Sequence, residues 1–249
     1  MQQWLAMAGL WLLVTATARE AALLTRRVTG GCVFEDAPRD ADYLLWRAKA
    51  YPLAVVATGA GAKATEQGIL RALADLKPVD AVIGFGFAGG LTKTAATEDL
   101  VVPARIFQGR EEQQPTDWLR MSILSKLEKS PLKTLLTSGK LVCSPVEKAA
   151  LFAATGAEAV DMESAVWGTV ARGEDIAWAV VRAVLDTADE ALPESFAFLS
   201  DRFGRARWEA AIPRLLFRPN ELRAVLRIRR EMRQAAPALT AALKSWLNP

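Results

Sequence analysis

Acidic residues close several apolar runs in this 249-residue chain, which contains no histidine at all. Glu163 follows Val160-Asp161-Met162, Asp186 follows Val181-Arg182-Ala183-Val184-Leu185, and Glu20 follows the run Leu10–Val14 after a short polar link. Without histidine there is no Ser-His-Asp or Cys-His nucleophile, no His-ligated zinc and no imidazole shuttle, so acid and base work falls to carboxylates, Lys or Tyr. Only two Tyr are present, and Cys32 and Cys143 lie 111 positions apart with no CxxC spacing. Carboxylates at strand ends stand where open α/β sheets bind ligands. Taken singly, each is equally well explained as a helix N-cap or one half of an ion pair. Taken together with two glycine clusters, Glu20, Glu163 and Asp186 form a candidate site.

The first cluster, Gly59-Ala60-Gly61-Ala62-Lys63-Ala64, fits the G-x-G-x-x-A dinucleotide pattern. That pattern needs an acid at the carboxyl end of the next strand to hold a ribose, and Asp80 stands at the opposite end, before Ala81-Val82-Ile83. A dinucleotide site is therefore disfavoured. The second cluster, Gly84-Phe85-Gly86-Phe87-Ala88-Gly89-Gly90, lets backbone amides approach an oxygen-rich ligand, or else makes a tight strand-to-helix turn. No Walker Gly-Lys-Ser/Thr follows, which argues against triphosphate binding.

The elements that must position these residues alternate. Strand-like runs are Trp11–Ala16, Ala54–Thr58, Ala81–Phe85, Leu100–Val102, Lys140–Ser144, Ala159–Met162 and Ala177–Ala183. Helical runs are Arg19–Thr25, Lys63–Asp75, Ser122–Lys129, Val146–Thr155, Ser164–Arg172 and most of 206–245. Alternation of this kind predicts an α/β fold, a helix-covered, largely parallel sheet. With 51% hydrophobic and 24% charged residues the chain has ordinary globular composition, and no run reaches the roughly 18 apolar residues of a membrane span. Leu10–Val14 and Ala16-Thr17-Ala18 imitate a signal peptide, but no Lys or Arg precedes Arg19, so the run reads as a buried first strand, with Met7 an alternative start.

Charge is uneven. Ten Arg fall between Arg202 and Arg233 against Glu209, Glu221 and Glu231, while the whole chain carries only +3. This argues against nucleic-acid binding by the whole protein and marks residues 201–249 as an Arg-rich helical extension packed on a domain of residues 1–200. In that extension Asn220 can cap a helix, Leu222, Val225, Leu226 and Met232 form an apolar stripe, and Arg223, Arg227 and Arg230 share a face. Such a face is either solvated or laid against anionic lipid headgroups.

Four motifs in order, Thr58-Gly-Ala-Gly61-Lys63, Gly86-Phe-Ala-Gly-Gly90, Asp161-Met-Glu-Ser164 and Arg182-Ala-Val-Leu-Asp186, make the chain resemble the purine nucleoside phosphorylase and methylthioadenosine/S-adenosylhomocysteine nucleosidase superfamily over about residues 10 to 195. Glu147-Lys148-Ala149-Ala150-Leu151 and Arg218-Pro219-Asn220-Glu221-Leu222 look most like its hopanoid-associated branch. The resemblance implies a three-layer αβα sandwich with a central mixed, largely parallel sheet. It also implies cleavage of the N-glycosidic bond of a 5′-modified adenosine, such as adenosylhopane, with methylthioadenosine/S-adenosylhomocysteine or futalosine as the competing substrates and an inactive nucleoside-binding protein as the non-enzymatic alternative.

By the same resemblance Asp186 is the acid that shares a proton with the purine N7, and Glu20 activates the attacking water. Glu163 holds the ribose hydroxyls, Met162 packs on the sugar, Arg182 lies near the carboxylates, and Phe87, Ala88, Gly89 and Leu185 line the substrate site. Phe87 and Leu185 stand where the nucleosidases carry serines, which predicts a more apolar pocket and favours water over phosphate. Arg19, Arg26 or Arg27 could supply a phosphate contact instead. The expected protein is a cytoplasmic homodimer, peripheral at the inner membrane face if the arginines meet lipid, with no metal, no cofactor and no nucleic-acid partner, and with phosphate as the one candidate co-substrate.

Overall fold

The computed structural model describes residues 9–27, 32–35, 42–48, 52–129, 131–193, 203 and 219–247. Its first strand, β1 (Leu10–Thr15), shows how the layers arise. Side chains alternate along a strand, so Trp11 and Leu13 enter one apolar cluster and Leu12 and Val14 the other. On the Leu12 side lie Ile69 and Leu73 of α2 (Ala62–Leu76) and Trp167 and Val170 of α5 (Ser164–Gly173). On the Trp11 side lie Leu24 of α1 (Ala18–Arg27), Leu119 of α3 (Asp117–Leu124) and Leu239, Leu243 and Trp246 of the last helix, α6 (Pro219–Leu247). The Trp11 and Trp246 rings approach to 5.2 Å. Burial of each such large apolar side chain contributes about 1.5–3 kcal/mol.

The sheet continues through β2 (Cys32–Glu35), β3 (Leu44–Ala48), β4 (Leu53–Ala57), β5 (Val79–Gly90), β6 (Leu100–Gln108), β7 (Glu111–Gln113), β8 (Leu132–Thr137), β9 (Ala159–Asp161) and β10 (Ala177–Asp186). β1 pairs in parallel with β4 and β5, and β5 with β10; β2–β3–β4 form an antiparallel edge. The twelve-residue β5 bends, so that Gly89 and Gly90 at its end pair with β9, and the path β5–β10–β6–β8–β9 closes on itself. Mixed pairing thus arises at this closure and at the edge, while the central pairings are parallel.

Several boundaries differ from the sequence reading. Lys140–Ser144 forms no strand; it lies between Gly139 and the Pro145 that opens α4 (Pro145–Thr155), and the neighbouring strand is β8, whose Lys133 and Thr134 obscure its alternation. The helix expected at Ser122–Lys129 begins earlier, at Asp117, and ends at Leu124. The second glycine cluster makes no turn into a helix and stays within β5. In α6 the inward stripe is Ile228, Ala235, Leu239, Leu243 and Trp246, because a long helix turns the face nearest the core and not its most apolar local stretch; Leu226 is 54% exposed and Met232 half-buried. The side chains of Leu222 and Val225, and the expected helical residues 206–218, lie outside what is described. No helix among the described residues is long and apolar enough to cross a membrane.

Candidate active site

Two glycines explain how large polar side chains reach the centre of the sheet. A Cβ on Gly86 would lie 2.2 Å from Arg182 Nη1 and 2.4 Å from Glu20 Oε1, and one on Gly84 would lie 2.6 Å from the Trp167 ring. The β5 glycines therefore make room for protein side chains, and the backbone approach expected there is to Glu20, whose Oε1 accepts from Phe87 N at 3.2 Å. The other oxygen of Glu20 accepts from Thr17 N and Thr17 Oγ1, both at 2.9 Å, while Thr17 Oγ1 accepts from Glu20 N at 3.3 Å. This is a reciprocal capping box at the start of α1. Glu20 is thus a cap and a candidate site residue at once, its cap bonds fixing one oxygen and leaving the other on the Phe87 N–H, beside the space over Gly86.

Arg182 is wholly buried. Its Nη2 donates to Asp161 Oδ2 at 2.5 Å and lies 3.6 Å from Glu163 Oε2, and its guanidinium sits 4.6 Å over the Trp167 ring. Asp161 also accepts from Thr137 Oγ1, Ser164 N and Ser164 Oγ, so it is fully occupied as the anchor of Arg182 and of the start of α5. Arg182 Nη1 has no hydrogen-bond partner; it and Glu20 Oε1 border the space over Gly86 that a Cβ would fill.

Glu163 is held by a feature first considered as a nucleotide motif. Gly61 takes φ +87°, a conformation that favours glycine, and its N–H donates to Glu163 Oε1 at 3.2 Å. Burial pushes the Glu163 carboxyl up to about 8, with Asp161 and Glu20 adding to the rise and Arg182 opposing it. Its ordinary value is 4.5. Between those two values the folded protein retains a proton that the unfolded chain releases, so stability from this group falls as pH rises through the window. Glu163→Gln should therefore gain melting temperature relative to the parent from pH 5 to pH 8.5; a gap that does not change with pH would contradict this.

At the far end of β10, a register shift sets Asp186, not Leu185, opposite Gly89. A bulge of this kind lets successive residues face one side, and both Leu185 and Asp186 line the cleft, with Phe87, Ala88, Gly89, Met162 and Glu163. At about 3.3 Å per residue, Arg182 and Asp186 stand about 13 Å apart along the strand. Asp186 is 3% exposed and burial raises its pKa, but its flank is not purely apolar as expected. Lys148 Nζ donates to its Oδ2 at 2.5 Å and pulls against the rise.

Of the expected site residues, Phe87, Ala88, Gly89, Met162, Glu163, Leu185 and Asp186 thus line one cleft, while Arg182 and Glu20 do not line it and are buried behind Glu163. Those the sequence reading missed are Lys148, the loop residues Lys140, Leu141 and Val142, and Leu192 and Ile228. Nothing in the sequence marked Lys148, because a lysine on a helix reads as solvated; only the fold shows that α4 turns Val146 (80% exposed), Ala149, Ala150 and Phe152 outward and fully buries this lysine. Arg19 is exposed, and the side chains of Arg26 and Arg27 lie outside the described set. Among the described residues no group of three His, Cys, Asp or Glu is arranged to hold a metal ion.

The profile of the phosphorylase superfamily matches residues 12–218. Among solved structures, the chain is similar to an S-adenosylhomocysteine nucleosidase from Streptococcus pyogenes (TM-score 0.73, 16% identity, 97% of this chain and 98% of that one). It is also similar to a futalosine hydrolase from Helicobacter pylori (0.70, 18%, 96% and 97%) and a 5′-methylthioadenosine nucleosidase from Arabidopsis thaliana (0.70, 17%, 96% and 95%). A search of curated proteins by sequence returned no match.

Proposed function

Because the chain belongs to the phosphorylase superfamily, we propose that it breaks the N-glycosidic bond of a 5′-modified adenosine and releases adenine, with water as the nucleophile. The observation that carries this reading is that Asp186 and Glu163 both line one cleft, with Arg182 and Glu20 standing behind Glu163, the guanidinium 3.6 Å from its Oε2. Cleavage through an oxocarbenium-like ribosyl cation needs an acid at the base, negative charge near the ribose and a held nucleophile. Asp186 gives its proton to N7 as the C1′–N9 electron pair passes to the base. Glu163 accepts from the ribose hydroxyls, and Met162 packs on the sugar. Glu20 Oε1 takes the proton of a water that the free Nη1 of Arg182 helps to orient.

Water is favoured over phosphate because, with Glu163 holding its proton below about 8, the nucleophile end still sets Glu20 and Asp161 against Arg182, which is already committed to Asp161. A phosphate dianion would meet more negative than positive charge there. Phe87, Leu185, Leu192 and Ile228 add apolar lining that suits an apolar 5′ substituent, and adenosylhopane is the substrate we place first. The structural neighbours that are nucleosidases and a futalosine hydrolase support the same bond cleavage. Incubation with adenosylhopane, methylthioadenosine and futalosine, with and without phosphate, tests it: free ribosyl product is expected, a sugar 1-phosphate would make the enzyme a phosphorylase, and binding without base release would make it a nucleoside-binding protein.

The same reading includes a helical extension, residues 201–249, on a domain of residues 1–200, and a homodimer that would cover the outward Val146 and Phe152 of α4, to be read by sedimentation equilibrium. It also includes contact with anionic lipid through α6, where Arg223, Arg229, Arg230 and Arg233 are exposed beside Leu226. Arg227 does not belong to that face: its Nη2 donates to Ala191 O at 2.6 Å and its Nε lies 3.4 Å from Glu231. Each exposed arginine near a charged surface contributes on the order of 1 kcal/mol at low salt. Replacing Arg223 and Arg230 with Gln should weaken co-sedimentation with anionic vesicles at low ionic strength; unchanged co-sedimentation would leave these residues a solvated face.

A further inference from the structure

The wholly buried Lys148 has no part in the reaction described above, although it touches the proposed acid. Its ammonium donates to Asp186 Oδ2 at 2.5 Å, to Thr187 O at 2.6 Å and to Glu190 O at 2.9 Å, which uses all three of its protons. Enclosing an ammonium costs several kcal/mol unless it is paired and bonded in this way. An alkyl side chain would pack the inward face of α4 without that cost, as Leu151 does where it meets the cluster of Leu91, Leu136, Val142, Ala157 and Val160, yet the one fully buried side chain of this helix is a lysine. The lysine stands on the one carboxyl at the base end of the cleft.

We infer that Lys148 is a positioning residue for departure of the base, holding the Asp186 carboxyl toward the cleft and balancing the negative charge that Asp186 acquires there. This rests on Asp186 being the acid. The Asp186 O–H bond breaks as N7–H forms, the C1′–N9 electron pair passes to the base, and the carboxylate left behind faces an ammonium that keeps its three protons throughout. Solvent returns a proton to Asp186 before the next turnover. The other charged groups facing Asp186 are Glu190 in the loop after β10 and Arg227 and Glu231 on α6; β5 and β9 bring the uncharged Gly89 and Val160. Arg227 lies 3.9 Å from Glu190 and 3.4 Å from Glu231, so it is shared between two carboxylates and leaves no positive charge over for Asp186, and Lys148 is the cation in direct contact.

The test is kcat/KM against pH for the parent, Lys148→Met, Lys148→Arg, Asp186→Asn and the double variant Lys148→Met/Asp186→Asn. Removing a cation that favours the carboxylate raises the pH at which Asp186 loses its proton. Lys148→Met is therefore expected to move the basic limb to higher pH and to lower kcat about tenfold or more, within the range of acid catalysis, while Lys148→Arg restores the limb. In the Asp186→Asn background Lys148→Met should cost nothing further, because its effect acts through Asp186. An unmoved limb, or losses that multiply in the double variant, would overturn the role and leave a structural ion pair. Near-normal activity of Asp186→Asn would instead overturn the acid assignment itself. Should Lys148→Met fail to fold, Lys148→Gln takes its place, alone and with Asp186→Asn: the same move of the basic limb is expected, and an unmoved limb or losses that multiply would overturn the inference.

Discussion

Asparagine at position 186 should lower kcat by about 10²-fold or more, since protonation of a leaving group typically contributes 10² to 10⁴. Asn keeps the shape of Asp186 and can still accept from Lys148, but it has no proton to give to the base. The variant should also melt at a lower temperature. Where Asp186 carries the proton it gives, Lys148 loses little, but above the pH at which that proton leaves it would retain only the carbonyls of Thr187 and Glu190 and no counter-charge, and breaking a buried pair from one side costs about 3–5 kcal/mol. Activity must therefore be measured where circular dichroism shows the variant folded. Near-parental turnover by folded Asp186→Asn would remove the acid from the mechanism.

Glutamine at position 20 should suppress hydrolysis by a comparable factor, about 10²-fold, the usual contribution of a positioned base. The substitution spares the cap because Gln serves as well as Glu in a capping box: its amide oxygen can still accept from Thr17 N and keep α1 in place. What it loses is the second acceptor, the Oε1 that meets Phe87 N and borders the space over Gly86. Release of adenine in water should fall far more than stability does, since the amide NH2 now set against Phe87 N leaves one buried donor unmet, a cost of about 1–3 kcal/mol. If added phosphate restored turnover and yielded a sugar 1-phosphate, the nucleophile would be phosphate and Glu20 would return to being a helix cap.

Both substitutions fall on residues visible in the sequence, yet for unequal reasons. Asp186 and Glu163 each end an apolar run, and period-two burial makes the end of such a run a strand terminus at the sheet's ligand edge. Glu20 was legible only through its place after the first strand and by family resemblance, since Thr17-x-x-Glu20 equally spells the cap it makes. The closure of the sheet was not legible, because pairing between β9 and the end of β5 spans 70 residues and depends on the bend of a single strand. Lys140–Ser144 misled for a related reason: a short apolar run has no strand identity until a partner accepts its backbone bonds.

The sequence by itself determined the alternation of elements, the apolar faces of β1, the lack of imidazole chemistry and the order of motifs that defines the family. These are local properties, fixed by residue type and spacing. Tertiary structure alone decided that Gly86 clears space for Arg182 and Glu20, that the Gly61 N–H turns to Glu163, and that Arg182 is spent on Asp161 with one nitrogen left free. It also decided that Lys148, on a helix that turns Val146 and Phe152 outward, reaches the acid. The physical reason is that protonation and charge balance depend on burial and on distances of a few ångströms between groups 21 to 102 residues apart in the chain, here Asp161 against Arg182, Lys148 against Asp186, and Gly61 against Glu163. Spacing along the chain carries no record of those distances.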